Sequence, residues 1–150
     1  APISDVDGMV IGGHSDVGMV PLIDKAVRNS VKASNFLSAD RMAQVVEDTK
    51  VGGATLTRLL GTSAWYAPGA AVSALVQAIA QDSGKIFPCS ALLEGEFGLN
   101  DLAIGVPCVL GKNGIEKIVQ IDLSDAEKEK LNESAEGVKK TNSLLSEVLA

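Results

Sequence analysis

The sequence predicts an α+β domain, an antiparallel sheet packed against long helices, and three features carry the prediction. Residues 39–60 set Met42, Val45, Val46, Thr49, Gly53, Leu56 and Leu60 at helical spacing. Residues 85–121 read as three successive strands, the last two joined through Lys112-Asn113-Gly114, whose Asn-Gly pair signals a tight hairpin. Ser124-Asp125-Ala126-Glu127 is a capping-box pattern ahead of a closing amphipathic helix. With 150 residues, 46% of them hydrophobic and 21% charged, the chain can bury a real core, and 1–150 is read as one domain.

In chain order, residues 8–13 and 19–23 read as strands around a loop that holds the only histidine, His14. Pro21 demotes the second to an edge or a strand start. Residues 24–37 read as an irregular loop with a short strand; Lys25, Arg28 and Lys32 there form either a solvated face or an attractor for an anion. Ser38 is placed as the N-cap of helix 39–60, with Asp40 in the first turn where the helix dipole favours negative charge. Gly52-Gly53 costs that helix roughly 1 kcal/mol per glycine, so a kink or a close helix–helix approach is expected there. The break at 61–69 contains the only tryptophan and tyrosine, Trp65 and Tyr66, expected in core or interface packing. Pro68 suits the first turn of a second helix, slim with alanine and ended by Gly84. Strands follow at 85–93, 104–110 and 115–121, the last with Ile115, Val119 and Ile121 on one face. The closing helix carries Leu131, Ala135, Val138, Leu145 and Leu149 as one stripe, with charges of alternating sign around it.

The totals exclude several functions. A net charge of −6 argues against nucleic acid or an anionic membrane as partner. No apolar run is long enough to span a bilayer and no signal-peptide pattern opens the chain. Cys89 and Cys108 lack metal-ligand spacing and read as reduced strand residues, which fits a cytoplasmic location. One histidine cannot build a multi-histidine metal site, so no metal is expected. The chain contains no G-x-G-x-x-G, no phosphate loop, no G-x-S-x-G elbow and no H-E-x-x-H. What remains is Met9-Val10-Ile11-Gly12-Gly13-His14-Ser15-Asp16, an apolar run entering two glycines and ending at an imidazole. It fits a strand delivering a proton exchanger into a cleft, the glycines leaving room for a substrate. It also fits a histidine that merely caps a strand. Asp16 is a weak candidate for orienting the ring, being too near along the chain to point back without a turn.

Taken together, several segments resemble the lactate and malate dehydrogenases. Gly12-Gly13-His14-Ser15-Asp16 with Met19-Val20-Pro21-Leu22 resembles their catalytic-histidine segment. Ser63-Ala64-Trp65-Tyr66-Ala67-Pro68-Gly69-Ala70-Ala71 resembles the matching segment of the lactate-dehydrogenase-like malate dehydrogenases. Glu94-Gly95-Glu96-Phe97-Gly98, Gly105-Val106-Pro107 and Leu110-Gly111-Lys112-Asn113-Gly114 fall in family order, so the resemblance covers essentially the whole chain. It implies the substrate-binding, catalytic C-terminal domain of a two-domain enzyme whose N-terminal Rossmann domain binds NAD. The absent initiator methionine and the absent glycine fingerprint then share one explanation, a fragment expected to be inactive alone.

The resemblance implies roles residue by residue. His14 matches the histidine that takes the hydroxyl proton in malate oxidation and returns it in oxaloacetate reduction. Ser63 and Ala64 fall where the family lines the substrate pocket, and Pro68 where a side chain approaches the nicotinamide. The carboxylate-gripping arginines and the aspartate that pairs with the histidine lie upstream in the family. One departure stands out: Val17 and Gly18 both intervene before Met19 where the family has one residue, and Ser15 replaces a common glycine. A bulge there is expected to shift Asp16 or the following strand. The expectation is therefore an NAD-dependent malate dehydrogenase domain acting on malate and oxaloacetate, partnered by its own Rossmann domain and assembling as a dimer or tetramer. Lactate or another 2-hydroxy acid is the alternative substrate, and a non-catalytic assembly domain the alternative class.

Overall fold

The structure, a computed structural model, describes residues 2–15 and 17–148. The α+β architecture is as the patterning predicts. Two short strands open it, β1 (Val6–Asp7) and β2 (Val10–Gly12), followed by β3 (Met19–Pro21), β4 (Val27–Arg28) and β5 (Val31–Lys32). Helices α1 (Ala39–Leu60) and α2 (Tyr66–Ala80) come next, then β6 (Lys85–Glu94), β7 (Asn100–Gly111), β8 (Gly114–Ile118) and α3 (Asp125–Val148). All strand pairs are antiparallel. The main sheet runs β3-β2-β7-β6, with β8 on the β7 edge beyond β2.

β7 is the spine. Leu102, Ile104, Val106, Cys108 and Leu110 alternate along it and are all buried, a period-two face packed on the core. Leu131 and Ala135 of α3 cover that face with Ile11, Val20, Leu22 and Leu93. Pro107, which has no N–H to donate, pairs with Pro88, and on β7's other edge it falls between the β2 pairing at Gly105 and the β8 pairing from Cys108. Its carbonyl still accepts from Val119 N–H at 2.8 Å. Both cysteines are free thiols on strands, and burial pushes both above the usual thiol pKa.

Local signals place several elements well. The Ser38 hydroxyl accepts from Arg41 N–H at 3.4 Å, so α1 begins where its cap requires. The capping box forms in both directions. Ser124 N–H donates to Glu127 Oε2 at 2.7 Å and Glu127 N–H to Ser124 Oγ at 3.3 Å. Burial alone would raise the Glu127 pKa, but the Ser124 N–H and hydroxyl, with Lys25 at 3.1 Å, hold it below the usual carboxylate value. Lys25 thus belongs to a specific ion pair, and Arg28 lies over the Phe36 ring at 5.9 Å; neither simply lines a solvated face.

Other expectations are corrected. Residues 24–37 hold two short strands, because Asn29 and Ser30 both adopt the left-handed φ of a two-residue hairpin, and β1 joins them in a separate three-stranded sheet. The stripe on α1 is only half covered: none of its residues is fully buried, since β3 and the turns before the helix meet only part of it. No neighbour approaches Gly52-Gly53; a Cβ at either would meet nothing within 4 Å. α2 ends at Ala80, not Gly84; Asp82 takes the left-handed turn (φ 48°) and its carboxylate accepts from Lys112 N–H at 2.9 Å. Among its described residues only Ala78 is fully buried, and Trp65 and Tyr66 are 70% and 81% exposed, so they are not core. The hairpin loop is Lys112-Asn113, with Gly114 already paired to Gly111. An irregularity at Val109/Leu110 sets Glu116 out of register, and β8 ends at Ile118, with Val119 and Ile121 beyond it. The α3 stripe is buried at Leu131 and Ala135 and half-buried at Val138, but Leu145 is exposed, and Leu149 lies outside the described residues.

Candidate active site

His14 stands at the end of β2, and two glycines determine how it gets there. Gly12 has φ +92°, a conformation that side chains avoid, and a Cβ on it would collide with the Gly18 carbonyl oxygen. Gly105 faces Gly12 across the β2–β7 pairing; a Cβ there would lie 2.7 Å from the Gly12 carbonyl oxygen. The two strands approach this closely only because both positions lack a side chain.

Beyond Gly12 the chain turns back within six residues. Ser15 organises the turn: its Oγ accepts from Gly18 N–H at 2.9 Å and its carbonyl accepts from Met19 N–H at 3.0 Å. Val17 and Gly18 both precede β3, which begins at Met19. β3 pairs with β2 in an unbroken register, Gly12 opposite Met19 and Val10 opposite Pro21. Asp16 lies outside the described residues. On the far side, Gly13 N–H donates to the Ser134 hydroxyl of α3 at 2.8 Å.

The imidazole is exposed, not packed in the interior, and it borders a cleft of about 650 Å³. The cleft brings together all four residues singled out from the sequence: His14, Ser63, Ala64 and Pro68. Two segments supply most of its lining. Thr49, Gly53 and Thr57 of α1, spaced four apart on one helical face, form one. The 63–71 segment forms the other, with Ala67 and Ala71 beside Ala64 and Pro68. Lys50 is the only formally charged residue among the described lining, and it is paired with Glu47 at 3.0 Å. A second depression, about 380 Å³, adjoins His14 from the sheet side, against Pro88, Ser90 and Ala103.

Such an arrangement suits a small polar reactant held beside a proton exchanger and against an apolar wall. The glycine pair on α1 thereby acquires a reading that helical periodicity misses: these positions border open space, not another helix. Thr49 and Gly53 read from the sequence only as part of a helical periodicity. Ser134 gave no signal, because a serine on a charged amphipathic helix resembles any solvated residue.

Known proteins share this fold and much of this sequence. Residues 2–147 match the family model of the lactate/malate dehydrogenase α/β C-terminal domain. The chain is 56% identical over 145 residues to a malate dehydrogenase of Parabacteroides distasonis, covering 97% of this chain and 46% of that protein. It is 53% identical over 148 residues to one from Flavobacterium johnsoniae, covering 99% and 48%. Among solved structures, malate dehydrogenase from Salinibacter ruber superposes with a TM-score of 0.95 at 39% identity, over 99% of this chain and 48% of that one. A lactate dehydrogenase from Eimeria maxima, solved with NADH and oxamate, gives 0.91 at 32% identity, over 97% and 47%. The chain spans about half the length of the curated relatives it matches.

Proposed function

The chain belongs to the lactate/malate dehydrogenase family as its α/β C-terminal domain, and from that premise we propose that 1–150 is the catalytic, substrate-binding half of an NAD-dependent malate dehydrogenase. One observation carries the reading: His14, Ser63, Ala64 and Pro68 line a single cleft although some fifty residues separate the histidine from the others. In malate oxidation the imidazole accepts the proton of the C2 hydroxyl; in oxaloacetate reduction the imidazolium returns it to the forming hydroxyl. Ser63 and Ala64 bound the substrate opposite the ring. Pro68, with Ala67, Ala71 and Leu56, offers an apolar surface that fits a planar nicotinamide. NAD, when bound, supplies the hydride acceptor. Its remaining contacts, the substrate-gripping arginines and the aspartate that pairs with His14 belong to an N-terminal Rossmann domain, the partner of this half in a homo-oligomer. The free thiols fit a cytoplasmic setting.

The test joins the chain to its native upstream half and follows NADH oxidation with oxaloacetate. His14→Asn is expected to lower kcat by about 10²–10⁴-fold, the usual contribution of a positioned acid–base group; retained activity would end the assignment. The chain by itself is expected to turn over no oxaloacetate. The likeness to a lactate dehydrogenase keeps a second reading open, a domain acting on lactate. Rates with oxaloacetate and pyruvate compared in the joined enzyme decide between the two, and malate dehydrogenases at 53–56% identity favour the first.

A further inference from the structure

We propose that Ser134 is a positioning residue for His14, an inference that rests on His14 being the proton exchanger. The two residues before the imidazole are both glycines, the least restrained backbone available. Gly12 is held in β2 by its pairing with Met19 and Gly105, but Gly13 lies beyond the strand and needs a restraint of its own. Ser134 supplies it from 121 residues away: its hydroxyl, on α3 and only 6% exposed, accepts the Gly13 N–H at 2.8 Å. The fit around it is close. A Cβ on Gly12 or Gly13 would lie 3.2 or 3.3 Å from the same Oγ, and one on Gly13 would also lie 3.4 Å from Val138. The peptide joining Gly12 to Gly13 is therefore held against α3 by one hydrogen bond and by contact. After the ring, Ser15 clamps the turn through Gly18 N–H and Met19 N–H. Among the described residues no side chain bonds the imidazole itself, so beyond the β2 pairing of Gly12 these two serines hold the backbone on either side of the ring. Ser15 acts within its own loop; Ser134 ties the loop to the core through α3, whose Leu131 and Ala135 are fully buried.

The experiment uses the enzyme joined to its upstream half. Ser134→Ala is expected to lower kcat about 10–100-fold, the scale of a misdirected reactive group, with KM for oxaloacetate within about 2-fold. Ser134→Thr, which keeps the hydroxyl, is expected to recover most of the rate. Leu131→Val loosens the same helix one turn away without touching Gly13, and should keep kcat within about 2-fold. Full kcat in Ser134→Ala, no recovery in Ser134→Thr, or an equal loss in Leu131→Val each overturns the proposal. Should Ser134→Ala not fold, Ser134→Cys, similar in size but a weak acceptor, takes its place with the same expectations. His14→Asn measured alongside separates the two levels of the argument. If it is inactive while Ser134→Ala runs at full rate, only the positioning role fails; if it stays active, the reading of His14 fails first.

Discussion

Gly105→Ala isolates the contact on which the His14 loop is built. Gly105 has an ordinary negative or extended φ, so alanine meets no conformational penalty there and the whole effect is steric. The new Cβ would lie 2.7 Å from the Gly12 carbonyl oxygen. That oxygen is backbone, so no rotamer change relieves the clash. Restoring ordinary contact needs β2 and β7 to separate by about 0.7 Å, on the scale at which packed contacts lose much of their attraction. Overpacking of this kind costs roughly 1–3 kcal/mol. At about 2–4 °C per kcal/mol for a chain this size, the thermal midpoint should fall by roughly 2–12 °C. β2 leads directly into Gly13 and His14, so the shift reaches the cleft, and a displacement approaching 1 Å can cost about 10²-fold in rate. Unfolding followed by circular dichroism reads the first effect and oxaloacetate reduction in the joined enzyme reads the second. Gly8→Ala is the control, since a Cβ there meets nothing within 4 Å. A Gly105→Ala midpoint within about 1 °C of that control would refute the steric argument.

Two further outcomes follow from the same contacts. Glu127→Gln should lower stability at pH 7 by roughly 1 kcal/mol, the scale of a lost helix cap. The folded pKa of Glu127 is depressed, so its contribution is fully present above the unfolded value of about 4.3 and fades as pH falls through the folded one; the gap between variant and parent should close over that acidic range in pH-dependent urea titrations. Gly52→Ala combined with Gly53→Ala should raise stability by roughly 1 kcal/mol per site, because neither methyl meets a neighbour, while the added methyls narrow the cleft and raise KM for oxaloacetate. A stabilised variant with unchanged kinetics would remove that face of α1 from the site.

The legible parts of the fold are those whose determinants lie within a few residues of each other. Ser38 bonds Arg41, and Ser124 and Glu127 bond each other; both caps could be placed from spacing alone. Misjudged boundaries trace to residues whose conformation answers to a distant partner. Asp82 ends α2 early while its carboxylate holds the 112–113 turn, thirty residues on. Trp65 and Tyr66 show the limit of composition, since large aromatics in a break between helices read equally as core or as interface until burial is known, and both are exposed.

For the site, the sequence by itself determined that one imidazole follows two glycines at the end of an apolar run, and family likeness supplied Ser63, Ala64 and Pro68 as its companions. Only the tertiary structure brought the four to one cleft, paired Gly12 with Gly105, and set the Ser134 hydroxyl against Gly13. The physical reason is range. Caps, turns and periodicity act over a few residues, whereas a contact spanning 121 residues exists only once α3 has packed onto the sheet.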